Sequence, residues 1–217
     1  MPDSQQEHEI YTHNEWTQNL YFQTIVKFLA EQKIKSYIDL GANVGGVYDV
    51  LQNQISTLKE AYLFEPEPRN FMFLAHKYII DNKVKLYPSA IYYGQNNNLY
   101  SCDNSVGGYS LVPHDNSNRK FRPTVCNIRI TPLEFFNLSV DFIKIDIEAS
   151  EYNVIAHSQT IKTTKYLDIE FHIGNPFSVH TNEDPSIEDN LKYVQTYLPN
   201  HVVIFQCHNH LFLELKS

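Results

Sequence analysis

Short apolar runs alternate with longer helix-like segments through most of the chain, and this alternation constrains the fold more than any other feature of the sequence. The runs are SYIDL (36–40), AYLFE (61–65), VKLYPSAIY (84–92, broken at Pro88), DFIKID (141–146) and YLDIEFH (166–172). Between and after them, VYDVLQNQI (47–55), FMFLAHKYII (71–80), TPLEFFNL (131–138), SEYNVIAHSQ (150–159) and SIEDNLKYVQTYL (186–198) carry helical patterns. An opening helix is expected over 14–32, with Asn14 as its cap and Trp16, Leu20, Ile25, Phe28 and Leu29 near helical spacing. Apolar strands alternating with helices predict an α/β fold: a mostly parallel sheet with helices on both faces. The tail, HVVIFQC (201–207) and LFLELK (211–216) around a polar turn, reads as a C-terminal antiparallel hairpin.

A chain of 217 residues supports one sizeable core, so residues 1–217 are expected to form a single domain. Within it stand an N-terminal helical segment (1–33) and an inserted loop or hairpin (94–123). The formal net charge of −8 argues against nucleic acid as a partner, because affinity for a phosphate backbone comes from clustered Lys and Arg. Cys102, Cys126 and Cys207 are widely spaced and odd in number, which suggests neither a disulfide framework nor a cysteine zinc site and fits a reducing compartment. No apolar run approaches the length of a membrane span, and the first residues are acidic and polar. A cytoplasmic protein without membrane contact is the resulting expectation.

Ligands of parallel sheets gather beyond the carboxyl ends of the strands. Here those ends carry GANVGG (41–46), Glu65, Ser89 and Ala90, Asp146 and Glu148, and Glu170 and His172. A glycine turn that opens a helix lets backbone approach a ligand closely, and a strand-end Glu65 can accept both hydroxyls of a ribose. Together they suggest a nucleoside. Dinucleotide sites favour G-x-G-x-x-G, and Asn43 stands where the second glycine admits the pyrophosphate. Asp39, just before the turn, suits the ammonium of S-adenosylmethionine, directly or through water. The residues therefore favour a methyl donor. An NAD-dependent oxidoreductase and a non-catalytic nucleoside-binding module are the alternative readings.

YIDLGANVGG, LFEPEP and DFIKIDIEASE, in this order over about residues 36–172, resemble the FkbM-type class I methyltransferases. The resemblance implies a Rossmann-like sheet, S-adenosylmethionine as donor, and O-methylation of a sugar or small-metabolite hydroxyl. By position, Asp39, Gly41, Asn43 and Gly45 would line the methionine end and Glu65 would hold the ribose. Ser89 and Ala90 would lie by the adenine, and Asp146 and Glu148 would face the reacting methyl. Two departures are visible: Ala149 replaces a common glycine, and Val47-Tyr48 replaces a Thr or Ser soon after the turn.

An alkyl hydroxyl must lose its proton to attack a sulfonium methyl, so a general base is sought. Asp146, Glu148, Glu170 and His172 are the candidates, and Glu170 and His172, two apart on a strand, share one face. A divalent metal on Asp146, Glu170 and His172 is the rival device. Glu151 reads as a carboxylate favoured by a helix N-terminus, and His208 and His210 read as solvated turn residues. The 94–123 insertion, with Tyr100, Tyr109, His114, Arg119 and Arg122, is the expected region for recognising a small-molecule or carbohydrate acceptor.

Overall fold

The computed structural model of the chain describes residues 16–101, 109–111, 122–125, 127–172, 174–177 and 185–216. Its first half contains α1 (Leu20–Glu31), β1 (Ser36–Leu40), α2 (Gly46–Gln54), β2 (Glu60–Phe64), α3 (Pro68–Lys77) and β3 (Val84–Tyr87). Short strands follow: β4 (Ala90–Ile91), β5 (Leu99–Ser101), β6 (Tyr109–Ser110), β7 (Arg122–Val125) and β8 (Ile130–Thr131). The second half holds a 3₁₀ turn (Leu133–Phe136), β9 (Phe142–Ile145), α4 (Glu151–His157), α5 (Gln159–Thr163), β10 (Tyr166–Glu170), α6 (Ile187–Tyr197), β11 (His201–Cys207) and β12 (His210–Leu215).

Seven strands form the main sheet in the order β11-β12-β10-β9-β1-β2-β3. All neighbours from β10 to β3 pair in parallel, and β12 pairs antiparallel with both β10 and β11. The expected hairpin is therefore present at the sheet edge. Strand order reverses between β1 and β9, where Leu40 lies opposite Ile145 and the Asp146 N–H donates to the Leu40 carbonyl at 3.1 Å. That reversal opens the sheet for a ligand between the ends of β1 and β9.

Both faces of the central strands are buried, which is why they read as continuous apolar runs rather than alternating ones. One face carries Ile38, Leu40, Ile143, Ile145, Leu167 and Ile169, packed against residues of α4, α5 and α6. The other carries an aromatic row, Tyr37, Phe142 and Tyr166 in register, covered by Phe22, Ile25 and Leu29 of α1. One step along the same face, Asp39, Lys144 and Asp168 also stand in register, all three buried.

Local signals account for most boundaries. The Asn19 side chain caps α1 by accepting from the Phe22 N–H at 3.1 Å, so the helix expected over 14–32 is interrupted at Asn19. Asn14 itself lies outside the described residues. Pro68 occupies the first turn of α3, where its missing N–H is harmless, and the Glu67 carboxylate caps that turn at the Asn70 N–H. The run 84–92 splits at Pro88, with β3 in the main sheet and β4 paired to β8. A proline has no N–H for a ladder, which explains the split. The insertion is a small antiparallel sheet, β6-β5-β7, with one strand more than a hairpin.

Candidate active site

The segment 41–46 is bent by necessity. Gly41 and Gly45 both take positive φ (89° and 84°). A Cβ on Gly41 would lie 1.9 Å from the Asp146 carbonyl oxygen, and one on Gly45 would lie 2.3 Å from the Tyr78 hydroxyl. The two glycines thus let β1 and β9 meet closely and let Tyr78 pack under the turn, donating to the Gly45 carbonyl at 3.0 Å. Asn43, also at positive φ (49°), donates its backbone N–H to Glu65 Oε2 at 2.8 Å. Glu65 Oε1 accepts from the Glu67 N–H at 2.8 Å. The carboxylate that follows β2 therefore ties the glycine turn to the start of α3. Burial pushes Glu65 up to about 8, although the Glu67 and Asn43 N–H groups favour its charged form.

Gly41, Asn43 and Glu65 line one cleft, partly open to solvent, at the switch point of the sheet. Six of the eight positions expected to hold the donor line it: Gly41, Asn43, Glu65, Ser89, Ala90 and Asp146. Glu148 lines it too. Gly45 is taken up by packing on Tyr78, and Asp39 is buried behind the floor beside Lys144, so neither is part of the lining. From the insertion, Leu99, Tyr109 and Leu111 close the cleft over Ser89 and Ala90. The Tyr109 hydroxyl accepts from Arg69, and Ser110 Oγ donates to the Glu148 carbonyl, so this small sheet is fastened at both ends of the cleft.

Beside the cleft, four carboxylates surround one imidazole. His172 Nδ1 lies 2.9 Å from Glu151 Oε1, and its Nε2 lies 3.5 Å from Glu148, 3.8 Å from Glu170 and 4.0 Å from Asp146. Burial disfavours the charged imidazole, but Glu151, Glu148 and Asp146 outweigh it and hold His172 well above the ordinary histidine range. Burial also pushes Glu148 up to about 7 against the pull of His172, and Glu170 up to about 8 with Asp146 adding to it. Asp146 behaves in the opposite way. Burial works against its charge, yet Lys144 and His172 lower it to about 2. The Lys144 ammonium reaches Asp146 Oδ2 at 2.8 Å.

A profile of the methyltransferase FkbM domain matches residues 39–198, most of the chain. The chain belongs to the FkbM methyltransferase family. No curated protein matches it. Among solved structures it is similar to the methyltransferase FkbM of Methylobacillus flagellatus KT, at 14% identity and a TM-score of 0.51. That match covers 84% of this chain and 44% of the other, so this FkbM chain spans less than half the length of that relative. It is also similar to the S-adenosylhomocysteine-bound methyltransferase PaMTH1 of Podospora anserina, at 13% identity and a TM-score of 0.53, covering 100% of this chain and 89% of that one. The expected class I methyltransferase fold is thereby established, and an oxidoreductase is set aside. A candidate RNA methyltransferase of Pyrococcus horikoshii shares the fold at a TM-score of 0.50 and 9% identity, covering 89% of this chain and 82% of that one. The fold therefore gives no ground for excluding nucleic acid. Among the described residues no helix is long and apolar enough to cross a membrane.

Several expectations change in this FkbM methyltransferase. Glu151 does open α4, but it is completely buried and accepts from both the Ile147 N–H at 3.0 Å and His172. It orients the imidazole rather than decorating a helix end. His210 is the first residue of β12, not a solvated turn residue; its ring packs 5.3 Å from Tyr21 and its Nε2 lies 3.5 Å from Glu170. Among the described residues, Asp146, Glu148 and His172 each bring a potential ligand atom within 4.8 Å of the others, which sets Glu148 beside the residues expected to hold a metal. His114 and Arg119 lie outside the described residues. Lys144 was not singled out by sequence, although a lysine inside the apolar run FIKI was a visible anomaly.

Proposed function

We propose that the cleft binds S-adenosylmethionine and that the chain transfers its methyl group to a hydroxyl of a sugar or small metabolite. The observation that carries this reading is the His172–Glu151 pair standing beside a cleft that already gathers Gly41, Asn43, Glu65, Ser89, Ala90 and Asp146. Bound there, the donor supplies an activated methyl on a sulfonium. Glu65 has a free lone pair on each oxygen for the ribose hydroxyls, beyond those used by Asn43 and Glu67. Ser89 and Ala90, under Leu99 and Leu111, offer the flat, partly apolar wall that an adenine needs.

His172 Nε2, once it has lost its own proton at a pH above the raised value of this imidazole, is the atom that takes the acceptor's proton. Its Nδ1–H donates to Glu151, which fixes the tautomer and stabilises the imidazolium formed by the transfer. Glu148 and Glu170, each partly exposed, line the approach and can accept from neighbouring hydroxyls of a polyol. Such a ring of carboxylates disfavours a phosphate backbone, which supports a small neutral or carbohydrate acceptor over nucleic acid. Tyr109, which also lines the cleft, adds an aromatic side chain suited to a sugar ring.

The proximity of Asp146, Glu148 and His172 supports a second reading, in which a divalent cation lowers the hydroxyl pKa. One experiment separates the two. Methyl-labelled S-adenosylmethionine is incubated with a panel of sugars and hydroxylated metabolites before and after exhaustive chelation, with products read by mass spectrometry. Labelled ethers formed equally in both support His172 as base, whereas activity restored only by Mg²⁺ or Mn²⁺ supports the metal. Absence of S-adenosylhomocysteine binding would overturn the donor assignment itself, and binding without transfer to any acceptor would favour a non-catalytic module.

A further inference from the structure

Lys144 is the least expected residue in the core. It sits in the middle of β9 between Ile143 and Ile145, with only 2% of its surface exposed. Asp39 on β1 and Asp168 on β10 flank it in register. Asp168 accepts from the Tyr21 hydroxyl at 3.1 Å, whereas neither oxygen of Asp39 reaches a hydrogen bond of ordinary length. The ammonium nevertheless turns along its own strand to Asp146 Oδ2 at 2.8 Å. Its outer side is closed by the Trp16 ring, whose centroid lies 4.8 Å from Nζ. Folding alone gives little reason for this arrangement, since replacing a buried ion pair by apolar residues of similar volume is often neutral or stabilising.

The consequence lies at Asp146. With Oδ2 held by Lys144, the carboxylate cannot rotate freely, and Oδ1 stays turned toward His172, 4.0 Å from its Nε2, in a residue that lines the cleft. We propose that Lys144 is a positioning residue: by gripping one oxygen of Asp146, under the seal of Trp16, it fixes the other toward the donor and keeps Asp146 from collapsing onto His172. This inference rests on the donor cleft described above and adds a residue that touches neither donor nor acceptor.

A double-mutant cycle read by calorimetric titration of S-adenosylhomocysteine tests it. Lys144→Met is expected to weaken binding about tenfold or more, with a lower melting temperature because it leaves Asp39, Asp146 and Asp168 without their buried cation, and Lys144→Arg to recover most of the binding loss. Asp146→Asn weakens binding on its own, and adding Lys144→Met to it should cause no further loss beyond about twofold. The double variant carries neither charge, so it remains informative if the unpaired carboxylates keep Lys144→Met from folding. Wild-type affinity in Lys144→Met, or a double variant weaker than Asp146→Asn by a further tenfold, would overturn the inference. A wild-type protein that binds no S-adenosylhomocysteine would instead overturn the donor reading on which it stands.

Discussion

Glu151→Gln separates the charge of Glu151 from its shape. The glutamine carbonyl can still accept from the Ile147 N–H and from His172 Nδ1, so the fold of the β9–α4 turn is retained. The negative charge beside the imidazole is lost. A hydrogen bond to a charged group contributes about 1.5–3 kcal/mol. The imidazolium formed during proton transfer loses that support, so kcat/KM at its alkaline plateau should fall roughly 10- to 150-fold. The pH profile carries the sign. Glu151 is the strongest of the influences that raise His172 above its ordinary value of 6.5. The wild-type rate therefore climbs as His172 loses its proton above that value, and the climb should move to lower pH in Glu151→Gln. Stability follows the same linkage. The raised histidine stabilises the fold fully below 6.5 and loses that contribution as pH rises through its folded value, so the variant should be less stable only on the acid side. Initial rates against pH at saturating donor test the idea. An unchanged plateau, or a limb moved to higher pH, would refute the assignment of Glu151 as the partner of the base.

The remaining predictions use the same geometry. His172→Ala should lower kcat about 10²- to 10⁴-fold while S-adenosylhomocysteine affinity, read by calorimetry, stays within threefold or so. Glu65 and Glu170, both raised to about 8 by burial, stabilise the fold fully below their ordinary 4.5 and lose that contribution as pH rises through 8. The melting temperature of the ligand-free protein should therefore decline from pH 5 to about 8, and Glu170→Gln should flatten the decline. Gly45→Ala places a methyl 2.3 Å from the Tyr78 hydroxyl at a φ of +84°, so urea denaturation should show a loss on the order of 1–3 kcal/mol. Gly41→Ala should be worse, because its obstacle is the backbone carbonyl of Asp146.

The sheet was legible because its strands, SYIDL, FIKI and YLDIE, are short, largely apolar runs that recur between longer segments of helical spacing, so length rather than periodicity told strand from helix. The strand-end residues followed from topology alone, and Gly41, Glu65, Ser89 and Asp146 do converge on one cleft. What escaped depends on contacts distant in sequence. Glu151 reads as an ordinary first-turn carboxylate until His172, 21 positions on, folds against it. His210 reads as a turn residue until β12 pairs with β10 and sets it beside Glu170. The cap of the first helix also escaped: Asn19, inside the segment expected to be helical, takes an extended backbone conformation and accepts from the Phe22 N–H.

The most direct measurement is a crystal structure with S-adenosylhomocysteine bound. The ribose hydroxyls should lie on the two oxygens of Glu65, the adenine between Ser89–Ala90 and Leu99, and the sulfur near Asp146 with His172 Nε2 facing the same space. A nucleoside bound outside this cleft, or a sulfur turned away from His172, would contradict the account.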